Sequence, residues 1–324
     1  MRGLRPSRGS SARRERGVVR RERARIFGVL GDPVDHSLSP AMQNAAFVAT
    51  QLPHLYLRFR VPARALRGAL GEARQLAMGG LNLTLPLKEA VLPLLDALTP
   101  EAERIGAVNT VVFAEGGKRL HGDNTDGRGF LAALRGRATI RGTHAVLIGA
   151  GGSARAVGTA LLTAGSASLT IANRTLARAE RLAEHLTRLG PTPITLAPLE
   201  ALAQGRTLER ASLVVNTTPL GLLGAPLRLR AEASPRACLF VDLVYAAEPT
   251  PFLARAARAG RSTLDGTSLL LQQGALAFEL WTRRRAPRAA MARALRAAGL
   301  GAHATPLTRR GAAATVSSRR PPRS

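Results

Sequence analysis

Past residue 25 the chain alternates short apolar runs with amphipathic ones. Ile26-Phe-Gly-Val-Leu30 is apolar and stops at Gly31-Asp-Pro33, the pattern of a buried strand and a turn. Pro40 opens a helical stretch that reaches about Leu52, because proline's fixed φ suits a first helical turn. Residues 55–60 alternate apolar and polar side chains and predict a half-buried strand. The same reading gives a helix over 63–78, a strand over 81–85, a helix over 87–98 and a strand over 108–113 that turns at Glu115-Gly-Gly117. After a connecting helix at 127–134, strands are predicted over 145–148, 168–172, 212–215 and 239–243. Helices are predicted from the glycine run to Ala164 and over 176–189, 251–259, 267–281 and 288–298. Alternation of strand and helix predicts an α/β fold with mostly parallel sheets, and 324 residues suffice for two such domains.

Composition sharpens this picture at four points. Aromatic residues make up only 3% of the chain, so the cores must be largely aliphatic. The single Cys238 excludes an intramolecular disulfide and suits a reducing, cytoplasmic setting. No apolar run reaches the roughly 18 residues of a membrane span, and the six histidines lack metal-ligand spacing, so neither a membrane nor a metal is expected. The net charge of +26 suggests nucleic acid until it is located. Residues 1–25 hold ten Arg against two Glu, and residues 283–324 hold eleven Arg and no acid. The excess thus belongs mainly to the ends. Residues 1–24 and 301–324 are read as disordered basic extensions, with no specific nucleic-acid partner.

The strand at 145–148 runs into Gly149-Ala-Gly-Gly-Ser-Ala-Arg155, which fits the dinucleotide pattern G-x-G-x-x-G/A. Its glycines allow a tight turn and close approach of a pyrophosphate to a helix N-terminus. The next strand ends in Ile171-Ala-Asn173-Arg174-Thr175, with Arg178 one turn on. An acid there would bind the ribose hydroxyls of NAD. Arginine instead suits a 2′-phosphate, which predicts NADP.

The first unit carries polar residues at its strand ends. Ser37 and Ser39 precede the helix opened by Pro40, Asn82 and Thr84 share one strand face, Asn109 starts a strand, and Asp126 sits in Gly122-Asp-Asn-Thr-Asp-Gly127. Of the 47 basic residues two are lysines, Lys88 and Lys118. Lys88 ends the run Asn82-Leu-Thr-Leu-Pro-Leu-Lys88. Lysine gives and takes a proton where arginine does not, so Lys88 is the candidate for proton transfer.

These runs, with Gly106-Ala-Val-Asn-Thr110, Asn216-Thr-Thr-Pro-Leu-Gly221 and Asp265-Gly266, resemble the shikimate dehydrogenase family in order and over about residues 25–285. The resemblance implies two α/β domains. The substrate-binding and catalytic one would comprise residues 25–125 plus 266–300, and a Rossmann-like NADP domain residues 126–265. It implies Lys88 and Asp126 as the catalytic pair. Ser37, Ser39, Thr84, Asn109, Asp126, Tyr245 and Gln273 would hold shikimate. Gly149, Ala150, Gly151, Gly152, Ser153, Asn173, Arg174, Thr175, Arg178, Leu243 and Gly266 would hold NADP. Leu243 and Leu269 stand where the family pattern has methionine. The implied activity is NADPH-linked reduction of 3-dehydroshikimate on the way to chorismate and aromatic amino acids, by a monomer or homodimer. Two alternatives stand beside it: a quinate/shikimate dehydrogenase using NAD, and a basic nucleic-acid-binding protein on a nucleotide-binding scaffold.

Overall fold

The computed structural model describes residues 22–220 and 227–300. The expected disorder of 1–24 and 301–324 falls outside these residues except at 22–24, and Gly221 also lies outside them. In the first half, β1 (Ile26–Gly31) leads through α1 (Ser39–Ala49) to β2 (Leu55–Arg60), and α2 (Leu66–Gln75) leads to β3 (Gly80–Leu83). Then follow α3 (Leu87–Ala90), β4 (Ala97–Leu98), α4 (Pro100–Ile105), β5 (Thr110–Ala114) and β6 (Arg119–Asp123). The six strands form one sheet of order β2-β1-β3-β5-β6-β4. Only β5 runs against its neighbours; the β1–β2, β1–β3 and β4–β6 pairs are parallel.

The helix α5 (Asp126–Leu134) carries the chain to a second sheet. Its elements are β7 (His144–Ile148), α6 (Gly152–Thr163), β8 (Ser168–Asn173), α7 (Leu176–Thr187), β9 (Ile194–Pro198), α8 (Ala201–Gln204), β10 (Leu213–Asn216), β11 (Leu239–Asp242), α9 (Pro251–Arg258) and β12 (Ser262–Leu264). All pairs are parallel, in the order β12-β11-β10-β7-β8-β9. This is the doubly wound arrangement, with its reversal between β7 and β10, where ligands of such sheets bind beyond the strand ends. The chain then returns. In α10 (Gly266–Thr282) and α11 (Arg288–Ala297), Phe278, Met291 and Leu295 join Phe27, Phe47 and Tyr56 in one core of the first unit. Trp281 Nε1 donates to the Val111 carbonyl at 3.0 Å and fixes the end of α10 on β5.

Between the two sheets, α5 is pressed between α10 and α6. A Cβ at Gly129 would lie 2.8 Å from Gln273 Cβ, and one at Gly127 would lie 3.0 Å from the Ala156 carbonyl. Glycine at both positions is what allows three helices to meet there.

The expected helix over 87–98 is a correction. The chain makes the single turn α3, a 3-10 turn at Leu92–Leu94 and then β4. Pro93 explains it: it has no N–H to give Glu89, and its ring collides with that carbonyl in a continued helix.

At the end of β11, Asp242 is fully buried. It accepts hydrogen bonds from Thr250 Oγ1 (2.6 Å), Asn216 Nδ2 (3.0 Å) and the Val244 N–H (3.1 Å). Burial outweighs these donors and, with the charge of Asp265, pushes the carboxyl from 3.8 up to about 6. The folded protein therefore holds a proton that the unfolded chain has released. That contribution is complete below about pH 4 and is lost as pH rises through 6, about 3 kcal/mol in total. Asp242→Asn should flatten this slope. Thermal unfolding between pH 5 and pH 7 (values bracketing about 6) should show the unsubstituted protein losing stability relative to the variant, and parallel curves would show that Asp242 stays ionised.

Candidate active site

The two sheets point their strand ends at a common cleft with a cavity of about 450 Å³. From the first unit come Ser37 and Ser39 at the start of α1, Thr84 after β3, Lys88 on α3, and Asn109 before β5. Asp126 enters at the first turn of α5, Tyr245 from the loop after β11, and Gln273 from α10. Every residue expected to hold the substrate thus lines one cavity. The structure adds Asn82, His36 and the Thr217–Thr218 pair after β10.

Lys88 Nζ lies 2.6 Å from Asp126 Oδ2, and both side chains are largely covered, at 14% and 9% exposure. The second carboxylate oxygen, Oδ1, accepts from Asn109 Nδ2 at 2.7 Å. Asn109 is itself held. Its Oδ1 takes the Thr125 N–H and the Thr110 hydroxyl, each at 2.8 Å. Asn124 Oδ1 receives the Asp126 N–H at 3.0 Å, while its Nδ2 donates to the Ala107 carbonyl at 2.9 Å. Behind them Tyr56 Oη donates to Asn82 Oδ1 at 2.7 Å, and Asn82 Nδ2 donates to the Asn109 carbonyl at 3.1 Å. Burial raises the Tyr56 and Tyr245 hydroxyls above their ordinary range, so both stay protonated donors.

A second cavity of about 350 Å³ adjoins the first and is lined by Ala150, Gly151, Gly152, Ser153, Arg155, Arg178 and Arg181. Gly149 turns the chain with φ +111°, and the space beside Gly151 is open. No side chain caps the first turn of α6, and Gly152 and Ser153 of that turn line this cavity, so the helix N-terminus offers an anion site there. Three arginines around that turn fit a phosphate-rich ligand. The residues present therefore fit an NADP-type dinucleotide, and Leu243 and Gly266, also expected at the nucleotide, line the first cavity. Asn173, Arg174 and Thr175 stand at the end of β8 and line neither cavity. Arg155 and Arg181 went unread in the sequence, since one more arginine on a helix carries no signal in a chain so rich in them. Among the described residues no group of His, Cys, Asp and Glu is placed to hold a metal.

A dinucleotide cradle sharing a cleft with a buried lysine–carboxylate pair defines a two-domain nicotinamide-dependent oxidoreductase. Residues 29–111 match the family described as Shikimate dehydrogenase substrate binding domain. Residues 132–219 match Shikimate / quinate 5-dehydrogenase, and residues 266–296 match Shikimate 5'-dehydrogenase C-terminal domain. The shikimate dehydrogenase (NADP(+)) of Methanopyrus kandleri is 45% identical over 267 residues, which is 81% of this chain and 91% of that protein. The crystal structure of shikimate 5-dehydrogenase from Thermus thermophilus in complex with NADP(H) and shikimate superposes with a TM-score of 0.73. It is 44% identical and covers 85% of this chain and 99% of its own. Quinate dehydrogenase from Corynebacterium glutamicum in complex with NAD is also similar, at 32% identity and a TM-score of 0.75, over 85% of this chain and 99% of that one. The chain belongs to the shikimate dehydrogenase family.

Asn109→Ala would leave Asp126 Oδ1 without its donor while the carboxylate stays buried. A loss of about 1–3 kcal/mol in unfolding free energy is expected from urea denaturation.

Proposed function

We propose that the protein catalyses the reversible, NADPH-linked reduction of 3-dehydroshikimate to shikimate. The observation that carries this reading is the buried Lys88–Asp126 pair, set in the wall of a cavity whose other polar groups are hydroxyls and amides together with His36. Residues 25–125 with 266–300 serve as the substrate-binding and catalytic part, and 126–265 as the NADP part. The placement of one sheet in each, and the packing of α10 and α11 on the first, support that division.

When bound, the reduced nicotinamide supplies the hydride. The protein must then hold the substrate and move one proton. Lys88 has three N–H donors. One faces Asp126 and one faces Ser153 Oγ at 3.0 Å, which leaves a third for the substrate oxygen. As an ammonium it donates to the carbonyl oxygen that becomes a hydroxyl, and in the reverse direction the neutral amine takes that proton back. A group in this role contributes about 10²–10⁴ in rate. Asp126 keeps the amine aimed into the cavity, and Asn109 keeps Asp126 turned toward the amine. Ser37, Ser39, Thr84, Tyr245 and Gln273 provide hydroxyls and an amide for the polyol and its carboxylate. Leu243, Leu269 and Leu270 give the cavity an apolar wall that excludes water.

NADP rather than NAD is the cofactor. No acid stands at the end of β8, where Asn173, Arg174 and Thr175 lie instead, and Arg178 and Arg181 border the phosphate cavity. The protein acts as a monomer or a homodimer. Among the described residues no helix is long and apolar enough to cross a membrane. We place the reaction in the cytoplasm, in keeping with the free, buried Cys238.

The direct test follows NADPH oxidation with 3-dehydroshikimate, and then initial rates with shikimate or quinate, each with NADP⁺ or NAD⁺. Preference for shikimate with NADP⁺ is expected; preference for quinate with NAD⁺ would overturn the reading. Lys88→Arg keeps the charge but cannot cycle a proton. Its turnover should fall by about 10² or more while NADP⁺ still binds, and near-parental turnover would remove Lys88 from the acid–base role.

A further inference from the structure

A lysine amine swings on four methylene groups, and aiming it needs contacts on more than one side. Lys88 stands on α3, a helix of four residues that cannot fix it alone. Asp126 holds one side. The other side is held by the glycine loop after β7, which belongs to the opposite sheet. Ser153 Oγ accepts from Lys88 Nζ at 3.0 Å. The lysine stem lies on Gly152 so closely that a Cβ there would come within 2.9 Å of Lys88 Cβ and 3.3 Å of its Cδ. Next along, Arg155 Nε reaches Glu89 Oε2 at 3.1 Å, beside Lys88 in sequence. Residues 152–155 therefore grip residues 88–89 at three successive points.

We propose that Ser153 is a positioning residue for the catalytic amine, so that the nucleotide loop sets the direction of Lys88 as well as cradling phosphate. This rests on the dehydrogenase reading above. The hydroxyl is the one loop group that meets the ammonium with an acceptor. It fixes a second N–H and leaves the third aimed at the substrate. The proton-transfer group of one sheet is thus assembled only when the loop of the other is in place.

The chain holds two lysines, so ¹⁵N-lysine labelling of the full-length, cofactor-free protein gives two side-chain ammonium signals. Lys88 should exchange its Nζ protons with water more slowly than the exposed Lys118. Ser153→Ala should speed that exchange about threefold or more, since one hydrogen bond is lost, and Ser153→Thr, which retains the hydroxyl, should restore it. In turnover, Ser153→Ala should lower kcat about tenfold and displace the kcat pH profile, with KM for NADP⁺ changed less than about twofold. A raised KM for NADP⁺, with kcat, pH profile and exchange unchanged, would assign the hydroxyl to the nucleotide alone and overturn the proposal, as would no change in any readout. If the parent protein turned over no shikimate yet the exchange effect appeared, the dehydrogenase reading would fail and the contact between loop and lysine would stand.

Discussion

A carboxylate and an ammonium 2.6 Å apart and mostly shielded from water are tolerable only if their remaining valences are satisfied. That requirement organises the centre of this protein. Asp126 has one oxygen on Lys88 and the other on Asn109, and its own N–H is taken by Asn124. Asn109 in turn needs Thr110 and Thr125, and Asn124 needs the Ala107 carbonyl. The polar stretch around β6 and α5 is thus one network in which each side chain closes a valence of another. Removing a member leaves a buried polar or charged neighbour without its partner rather than deleting an isolated contact.

The scarcity of aromatic residues has a spatial counterpart. Phe27, Phe47, His54 and Trp281 stack at centroid distances of 5.1–5.3 Å, and Phe278 and Tyr56 border them. This group lies where α10 and α11 meet α1 and β1. The second sheet instead has a mainly aliphatic core on one face, around Leu147, Leu161, Ile171 and Leu182. Large flat side chains are concentrated at the seam that must accept a segment arriving from far along the chain. There their area and edge-to-face preferences make docking specific.

Most of the fold was legible because its strands are apolar runs bounded by turn residues, and most of the site because its polar residues lie in runs at strand ends. Several parts were not legible. Strand β6 reads Arg-Leu-His-Gly-Asp and β12 only Ser-Thr-Leu, so neither has enough apolar residues to show a period of two. They are strands because neighbours offer them a ladder. Helix α4 does carry a start signal, since Thr99 Oγ1 caps the Ala102 N–H at 3.2 Å, but its six residues fall below the length at which periodicity shows. Asn82 was visible as a polar residue on a strand face. That it supports Asn109 from behind depends on the pairing of β3 with β5, which no local pattern reveals. The serine that reaches Lys88 is legible as part of a phosphate loop, whereas its contact across the cleft exists only once two sheets face each other.

Among the described residues the chain passes between the two units twice, at the start of α5 and at the start of α10, and these helices lie side by side with Gly129 against Gln273. A single covalent tether would let one unit pivot in any direction. Two crossings in contact restrict that freedom, because twisting or sliding one unit past the other would break the packing of α5 on α10. Asp126 and Gln273 sit on those tethers and line the cavity. The stretches of chain that join the units thus also carry a carboxylate and an amide into the cavity wall, so the register of one unit on the other is set where the polar groups of the site stand.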